Sequence, residues 1–141
     1  MADPNIWAEI DLAAVAHNVR ELRRVTRPEA LLMAVVKADG YGHGAAAVAR
    51  TALSNGAAML AVARLEEGVA LREAGLTAPI LVFGRPFPDQ AEDLIRHGLI
   101  QSVLDLEDAA LLSREARAKG AVIPVHLKVD TGMGRLGLVA D

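Results

Sequence analysis

Apolar runs recur along the chain at intervals that suit the strands of a parallel sheet. They cover residues 30–36, 57–62, 79–83, 99–104 and 122–129, and a shorter strand-like piece, residues 6–12, precedes them. A helical segment ending near Val25 comes before the first long run, and four segments with helical apolar spacing lie between the runs. Strands that alternate with helices in this way predict parallel βα units and an α/β fold.

Two of the helical segments have recognisable signals. Within residues 88–98, Ala91, Leu94 and Ile95 are spaced i, i+3 and i+4 and form one apolar face. In residues 105–120, Asp105 is the predicted N-cap and Gly120 the predicted stop, because acceptors start helices and glycine ends them.

The connections between elements differ with direction. Passing from helix to strand takes a few residues, whereas passing from strand to helix runs through long polar loops, "KADGYGHG" (37–44), "GRPFPDQ" (84–90) and "DTGMGRLG" (130–137). Parallel α/β proteins hold their active sites at the carboxyl ends of the strands. We therefore expect a site at this end, where Lys37 and Arg135 both fall.

The last apolar run has one polar face. In residues 125–130, valine and leucine alternate with His126, Lys128 and Asp130. Strands buried on both faces are usually apolar throughout. Two interpretations stay open: the polar face looks into the mouth of a barrel and supports a site, or the strand lies at an edge with one wet face.

Composition excludes several functional classes. Only 3% of residues are aromatic and the net charge is −3, which argues against a nucleic-acid-binding surface. The absence of cysteine excludes disulfides and thiolate metal sites, and the four histidines lack metal-ligand spacing, so we expect no metal. No apolar stretch approaches a membrane span, which predicts a soluble, cytoplasmic protein.

Lys37, at the end of the first long apolar run, has two interpretations. It is either a surface amine or an amine whose pKa is lowered by apolar walls, and a neutral amine forms Schiff bases with aldehydes such as pyridoxal phosphate. Three nearby glycines let the backbone approach a ligand, and Tyr41 offers a hydroxyl to an anionic group.

A rival motif, "GMGRLG" (132–137), formally matches the dinucleotide-binding fingerprint. That fingerprint belongs to a first βα turn and needs an acidic residue about 20 positions later, which this sequence does not show. Arg135 within the motif suits an anion or a polar ring substituent better.

Three stretches resemble the amino-terminal part of the alanine racemase family: "WAEIDLAAVAHNVRELR" (7–23), "AVVKADGYGHG" (34–44) and "HLKVDTGMGRLG" (126–137). The resemblance covers nearly the whole chain. It implies a partial (β/α)8 barrel of the TIM type, with about five of eight units and parallel strands. Residues 1–141 would then be an incomplete barrel domain, without the carboxyl-terminal β domain of the family.

The resemblance also implies roles for single residues. Lys37 would hold pyridoxal 5'-phosphate as a Schiff base and then act as one of two catalytic bases. Tyr41 would reach the cofactor phosphate, and Arg135 would bind the phenolic oxygen of the cofactor and the substrate. Lys128 matches a position that is carbamylated in some members; without that modification, Asp130 is the nearest acid to balance Lys128 and Arg135.

The implied reaction is the interconversion of L-alanine and D-alanine, which supplies D-alanine for the cell wall. The family's active site is shared in a homodimer, and its opposing tyrosine and the arginine at the pyridine nitrogen lie beyond Asp141. We therefore expect little turnover from the isolated chain. The alternatives are another barrel-type pyridoxal phosphate enzyme, such as a serine racemase or a decarboxylase, and a non-catalytic cofactor-binding module.

Overall fold

Five parallel strands form the central sheet of the protein. A computed structural model of the chain describes residues 6–139. The strands pair in chain order, and their bounds are β1 (Leu32–Val35), β2 (Ala57–Val62), β3 (Ile80–Val82), β4 (Ile100–Val103) and β5 (Val125–Leu127). A short parallel ribbon follows, made of β6 (Val129–Asp130) and β7 (Leu138–Val139). The predicted α/β fold with five parallel strands is confirmed.

Helices connect the strands. They are α1 (Leu12–Val25), α3 (Ala45–Ser54), α4 (Leu65–Glu73), α5 (Ala91–Arg96), which a short 3-10 turn (Pro88–Gln90) precedes, and α6 (Leu106–Ala118). The short element between β1 and α3, α2 (Lys37–Tyr41), is a left-handed turn and not a regular α-helix. The predicted start of α6 is confirmed, since the Asp105 carboxylate accepts the N–H of Asp108 at 2.9 Å. Gly120 is left-handed with φ 61°, and Ala121 N–H donates back to Ala116 C=O at 2.9 Å, which ends the helix as predicted.

The prediction of a strand-like piece over residues 6–12 is wrong. Residues 6–11 have no regular structure, and Leu12 already belongs to α1. Asp11 is the N-cap of that helix, with its Oδ1 accepting the N–H of Ala13 at 2.8 Å. A strand needs a neighbour to pair with, and none of the residues between 6 and 139 pairs with this segment.

The core is built from aliphatic side chains between the sheet and the helices that cover it. Leu60 and Ile80 from the strands are fully buried, as is Leu99, and Leu94 and Leu71 from the helices pack into the same cluster. Burying one such side chain contributes about 1.5–3 kcal/mol. The sheet is thus anchored from its helical side, which fixes the positions of its carboxyl ends.

β5 forms one edge of the sheet. Val125 and Leu127 are 49% and 60% exposed, and an apolar groove of about 390 Å³ lies between β5 and α6. The edge position predicted for this run is therefore confirmed, but both faces of β5 are exposed, so the single wet face of that interpretation is wrong. The residue that follows β5, Lys128, nevertheless lines the cavity described next, so the barrel-mouth interpretation also holds for that position.

Candidate functional site

A cavity of about 370 Å³ lies at the carboxyl ends of the strands. Every strand of the five-stranded sheet, or the segment directly after it, contributes to its wall. The lining residues are Lys37, Ala63, Phe83, Gly84, Ser102, Leu104, Lys128, Met133, Arg135 and Leu136. This is the end of the sheet at which the long polar loops predicted a site.

The cavity brings together three of the four predicted site residues. Lys37, Lys128 and Arg135 all line it, and none of the described residues that line it is acidic. Three cations among apolar side chains repel one another strongly, because the effective dielectric there is lower than in water. An anionic ligand offsets this repulsion, so the site favours one. The chemistry of the donors therefore predicts a negatively charged ligand.

Tyr41, the fourth predicted residue, does not line this cavity. Its ring is 58% exposed and its centroid lies 5.8 Å from Nζ of Lys37. At that distance the ring face attracts the ammonium group. Lys37 thus lines the cavity and also lies beside the Tyr41 ring.

The segment that begins with Lys37, residues 37–44, contains a left-handed turn. We call this segment the first loop. Ala38, Asp39 and Tyr41 have φ of 51°, 53° and 56°. Each non-glycine residue in this region costs about 1–2 kcal/mol, so the conformation needs other interactions to hold it. Part of that support is local, since Gly40 N–H donates to Val36 C=O at 2.9 Å.

Two carboxylates also hold the first loop. Asp39 Oδ1 accepts the N–H of Ala45 at 2.8 Å and so ties the turn to the start of α3. Glu67, from the first turn of α4, accepts the N–H of Ala38 at 2.7 Å through Oε1. Glu67 was missed in the sequence analysis; the available signal was an acid three residues after Arg64, the N-cap of α4.

The second oxygen of Glu67 is engaged as well. Its Oε2 accepts the N–H groups of Ala63 at 2.8 Å and Arg64 at 3.0 Å. Partial burial raises the pKa of Glu67, but the hydrogen bonds from Ala38, Arg64 and Ala63 together outweigh it, so the pKa is lowered from its usual 4.5. Glu67 is thus held as a carboxylate between the ends of β1 and β2.

The segment 130–137, which we call the second loop, holds Arg135 and follows Lys128. Asp130 Oδ1 accepts the N–H of Gly132 at 3.0 Å, and this hydrogen bond is the largest cause of the lowered pKa of Asp130. The positive charge of Lys128 contributes in the same direction. Asp130 therefore organises the loop and lies near enough to Lys128 to offset part of its charge.

The end of the second loop packs tightly on Lys128. Leu138 N–H donates to Lys128 C=O at 2.9 Å, and a Cβ on Gly137 would lie 2.7 Å from that oxygen. Glycine is required there by this close approach. The Lys128 ammonium group donates to Val129 C=O at 2.9 Å, whereas the neighbouring His126 is exposed and does not line the cavity.

An ion-pair network that the sequence did not reveal fixes the loop after β3. Arg85 donates to Asp105 at 2.6 Å and to the buried carboxylate of Asp108 at 2.8 Å. Two hydrogen bonds lower the pKa of Asp105: the one from the Asp108 N–H has the larger effect and the one from Arg85 the smaller. This network ties the loop beside Gly84, a lining residue, to the start of α6.

Two further properties bear on the kind of site. Within residues 6–139, no group of three or more histidine, aspartate or glutamate side chains is arranged to hold a metal ion. Across the same residues, every helix is too short or too polar to traverse a bilayer.

The chain is similar to alanine racemases in sequence and structure. The family model described as alanine racemase, N-terminal domain, matches residues 10–141. The alanine racemase of Desulfosudis oleivorans is 55% identical over 98% of this chain, and that of Desulforamulus reducens 50% identical over all of it. The chain spans only 35% and 38% of those two proteins. The crystal structure of the Bacillus anthracis alanine racemase with bound L-Ala-P matches 99% of this chain and 36% of its own, with 34% identity and a TM-score of 0.92.

Proposed function

This chain belongs to the alanine racemase family, and from that premise we propose that it is the cofactor-holding part of a racemase that interconverts L-alanine and D-alanine. The family depends on pyridoxal 5'-phosphate. The observation that carries the proposal is the convergence of Lys37, Lys128 and Arg135 on one cavity at the carboxyl ends of the strands. In the cell, the product would be cytoplasmic D-alanine for the cell wall.

The residues present fit this cofactor. Its phosphate and phenolic oxygens are anionic, and the cavity supplies three cations and no acid among its described lining residues. Its aromatic ring needs apolar walls, which Phe83, Leu104 and Leu136 provide. When bound, pyridoxal phosphate withdraws electrons from the substrate and so makes its α-hydrogen acidic.

Lys37 has two tasks in this proposal. Its Nζ would hold the cofactor covalently. Once the amino group of the substrate has displaced it, the freed amine would move a proton to or from the α-carbon of the substrate on one face. Racemisation also needs an acid–base group on the opposite face. We propose that this group comes from the partner subunit of a homodimer.

The other predicted residues bind and orient. Arg135 would donate to the phenolic oxygen of the cofactor and to the substrate carboxylate, since its guanidinium group offers five donors. Tyr41, which is exposed and lies beside Lys37, would donate its hydroxyl to the phosphate. Carbamylation of Lys128 would replace a cation with an anion next to Arg135 and orient its guanidinium group.

The test is chemical labelling of the protein that carries this sequence. Incubation with pyridoxal phosphate followed by borohydride reduction fixes the cofactor on the lysine that holds it. The chain has three lysines, Lys37, Lys119 and Lys128, so peptide mapping identifies the labelled one. We expect the label on Lys37 and its loss in Lys37→Ala, while Lys119→Ala, a surface change in the same chain, keeps it.

Label on Lys119 or Lys128 alone, or on no lysine, would contradict the proposal. Substrate specificity needs a separate measurement. We expect turnover of alanine to exceed that of serine in a coupled assay for the D-amino acid, and a preference for serine would refute the assigned substrate.

A further inference from the structure

Glu67 joins the ends of two strands beside the cavity. Its Oε1 accepts the N–H of Ala38, directly after Lys37, and its Oε2 accepts the N–H of Ala63, which lines the cavity itself. One carboxylate thus links the residue after Lys37 to the cavity wall at the end of β2. Hydrogen bonds to an ionised acceptor are shorter and stronger than neutral ones.

The bond to Ala38 acts at the point where the chain turns left-handed. Ala38 is the first residue of the turn, and its nitrogen belongs to the peptide unit that carries the carbonyl of Lys37. Holding this N–H fixes the plane of that peptide and with it the direction in which the Lys37 side chain leaves the backbone. The local bonds from Gly40 and Gly42 close the turn but do not attach it to β2 or α4.

We propose that Glu67 is a positioning residue for Lys37, which aims the amine into the cavity by clamping the Ala38 N–H to the end of β2. The inference rests on the proposed function, because it concerns how the same site holds its cofactor. Glu67 does not line the cavity, so it acts through the backbone and not by touching the ligand.

Two substitutions separate positioning from helix capping. In Glu67→Gln, the amide oxygen makes two bonds if it faces Ala63 and Arg64 and only one if it faces Ala38. The first orientation keeps the cap of α4 and turns an NH2 group toward the Ala38 N–H, which breaks the clamp. Glu67→Ala removes both. Glu66→Gln, an exposed change in the same helical turn, is the matched control.

The readouts are cofactor affinity from the absorption of protein-bound pyridoxal phosphate, and hydrogen exchange at the Ala38 amide. We expect faster exchange at Ala38 and about tenfold weaker cofactor binding in Glu67→Gln, and at least as great a loss in Glu67→Ala. In turnover assays the loss falls on kcat more than on KM for alanine, because a displaced amine transfers protons poorly. Glu66→Gln retains the native values.

Faster exchange at Ala38 without a loss of cofactor affinity, in either variant, overturns the inference, as does native affinity in Glu67→Ala. These results leave the labelling of Lys37 intact and so leave the proposed function standing. If the unaltered protein fails to label at Lys37, the proposed function fails and the inference falls with it.

Discussion

The first and second loops carry residues of the same cavity but are held in different ways. The first loop packs against α3, with Gly40 buried, and two carboxylates and several backbone bonds fix it. The second loop is exposed, with Met133 76% accessible, and its organising carboxylate, Asp130, bonds within the loop itself. Lys37, to which we assign the covalent role, therefore lies on the loop with tertiary anchors, and Arg135 lies on the loop with mainly local support.

The largest expected difference between the loops is in their tolerance of a Cβ. Gly40 and Gly134 have nearly equal φ, 63° and 69°, but a Cβ on Gly40 would lie 3.2 Å from Ala45 N, whereas one on Gly134 meets nothing within 4 Å. Gly40→Ala adds crowding to backbone strain, and we expect it to reduce the free energy of unfolding by about 2–5 kcal/mol. Gly134→Ala adds strain alone, about 1–2 kcal/mol.

Urea denaturation of the two variants measures this difference. Because backbone strain is common to both, the gap between them reports the packing of the first loop. Equal losses would show that the first loop is no more tightly packed than the second.

A smaller effect is expected from the loop carboxylates. Asp39→Ala leaves the Ala45 N–H without its acceptor at the start of α3 and should cost about 1 kcal/mol, as the loss of a helix cap does. Asp130→Ala should cost less, because water replaces its bond to the exposed Gly132 N–H. The midpoints of thermal unfolding check the order, and a greater loss in Asp130→Ala would reverse the comparison.

The smallest effect concerns stability in acid. The pKa of Glu67 is lowered in the folded protein, so its contribution is complete above its usual pKa of 4.5 and is lost as the pH falls through the folded value. We expect Glu67→Gln to flatten the acid limb of the stability profile more than Asp130→Asn. Three N–H groups from the segments after β1 and β2 donate to the Glu67 carboxylate, whereas the Asp130 carboxylate binds within its own loop. Unfolding in urea from neutral pH down to the acid limb measures both slopes. A flatter profile in Asp130→Asn would contradict this assignment.

The order of the elements and the location of the site were determined by the sequence alone. Apolar runs and glycine stops act over a few residues, and parallel βα units bring the carboxyl ends of their strands to one edge, so Lys37 and Arg135 were expected there. For Lys128 the sequence left two interpretations open. Only the tertiary structure decided how the site is held. The clamp from Glu67 to Ala38 spans 29 residues, and the bond from Arg85 to Asp108 spans 23.

Such contacts depend on how separate elements pack, and no local pattern encodes that. The same reason explains why residues 6–11 form no strand, since their strand-like pattern had no described strand to pair with. It also explains why Tyr41 does not line the cavity, although its ring lies beside Lys37. Periodicity places a residue on an element, whereas the distance between two elements decides what that residue can touch.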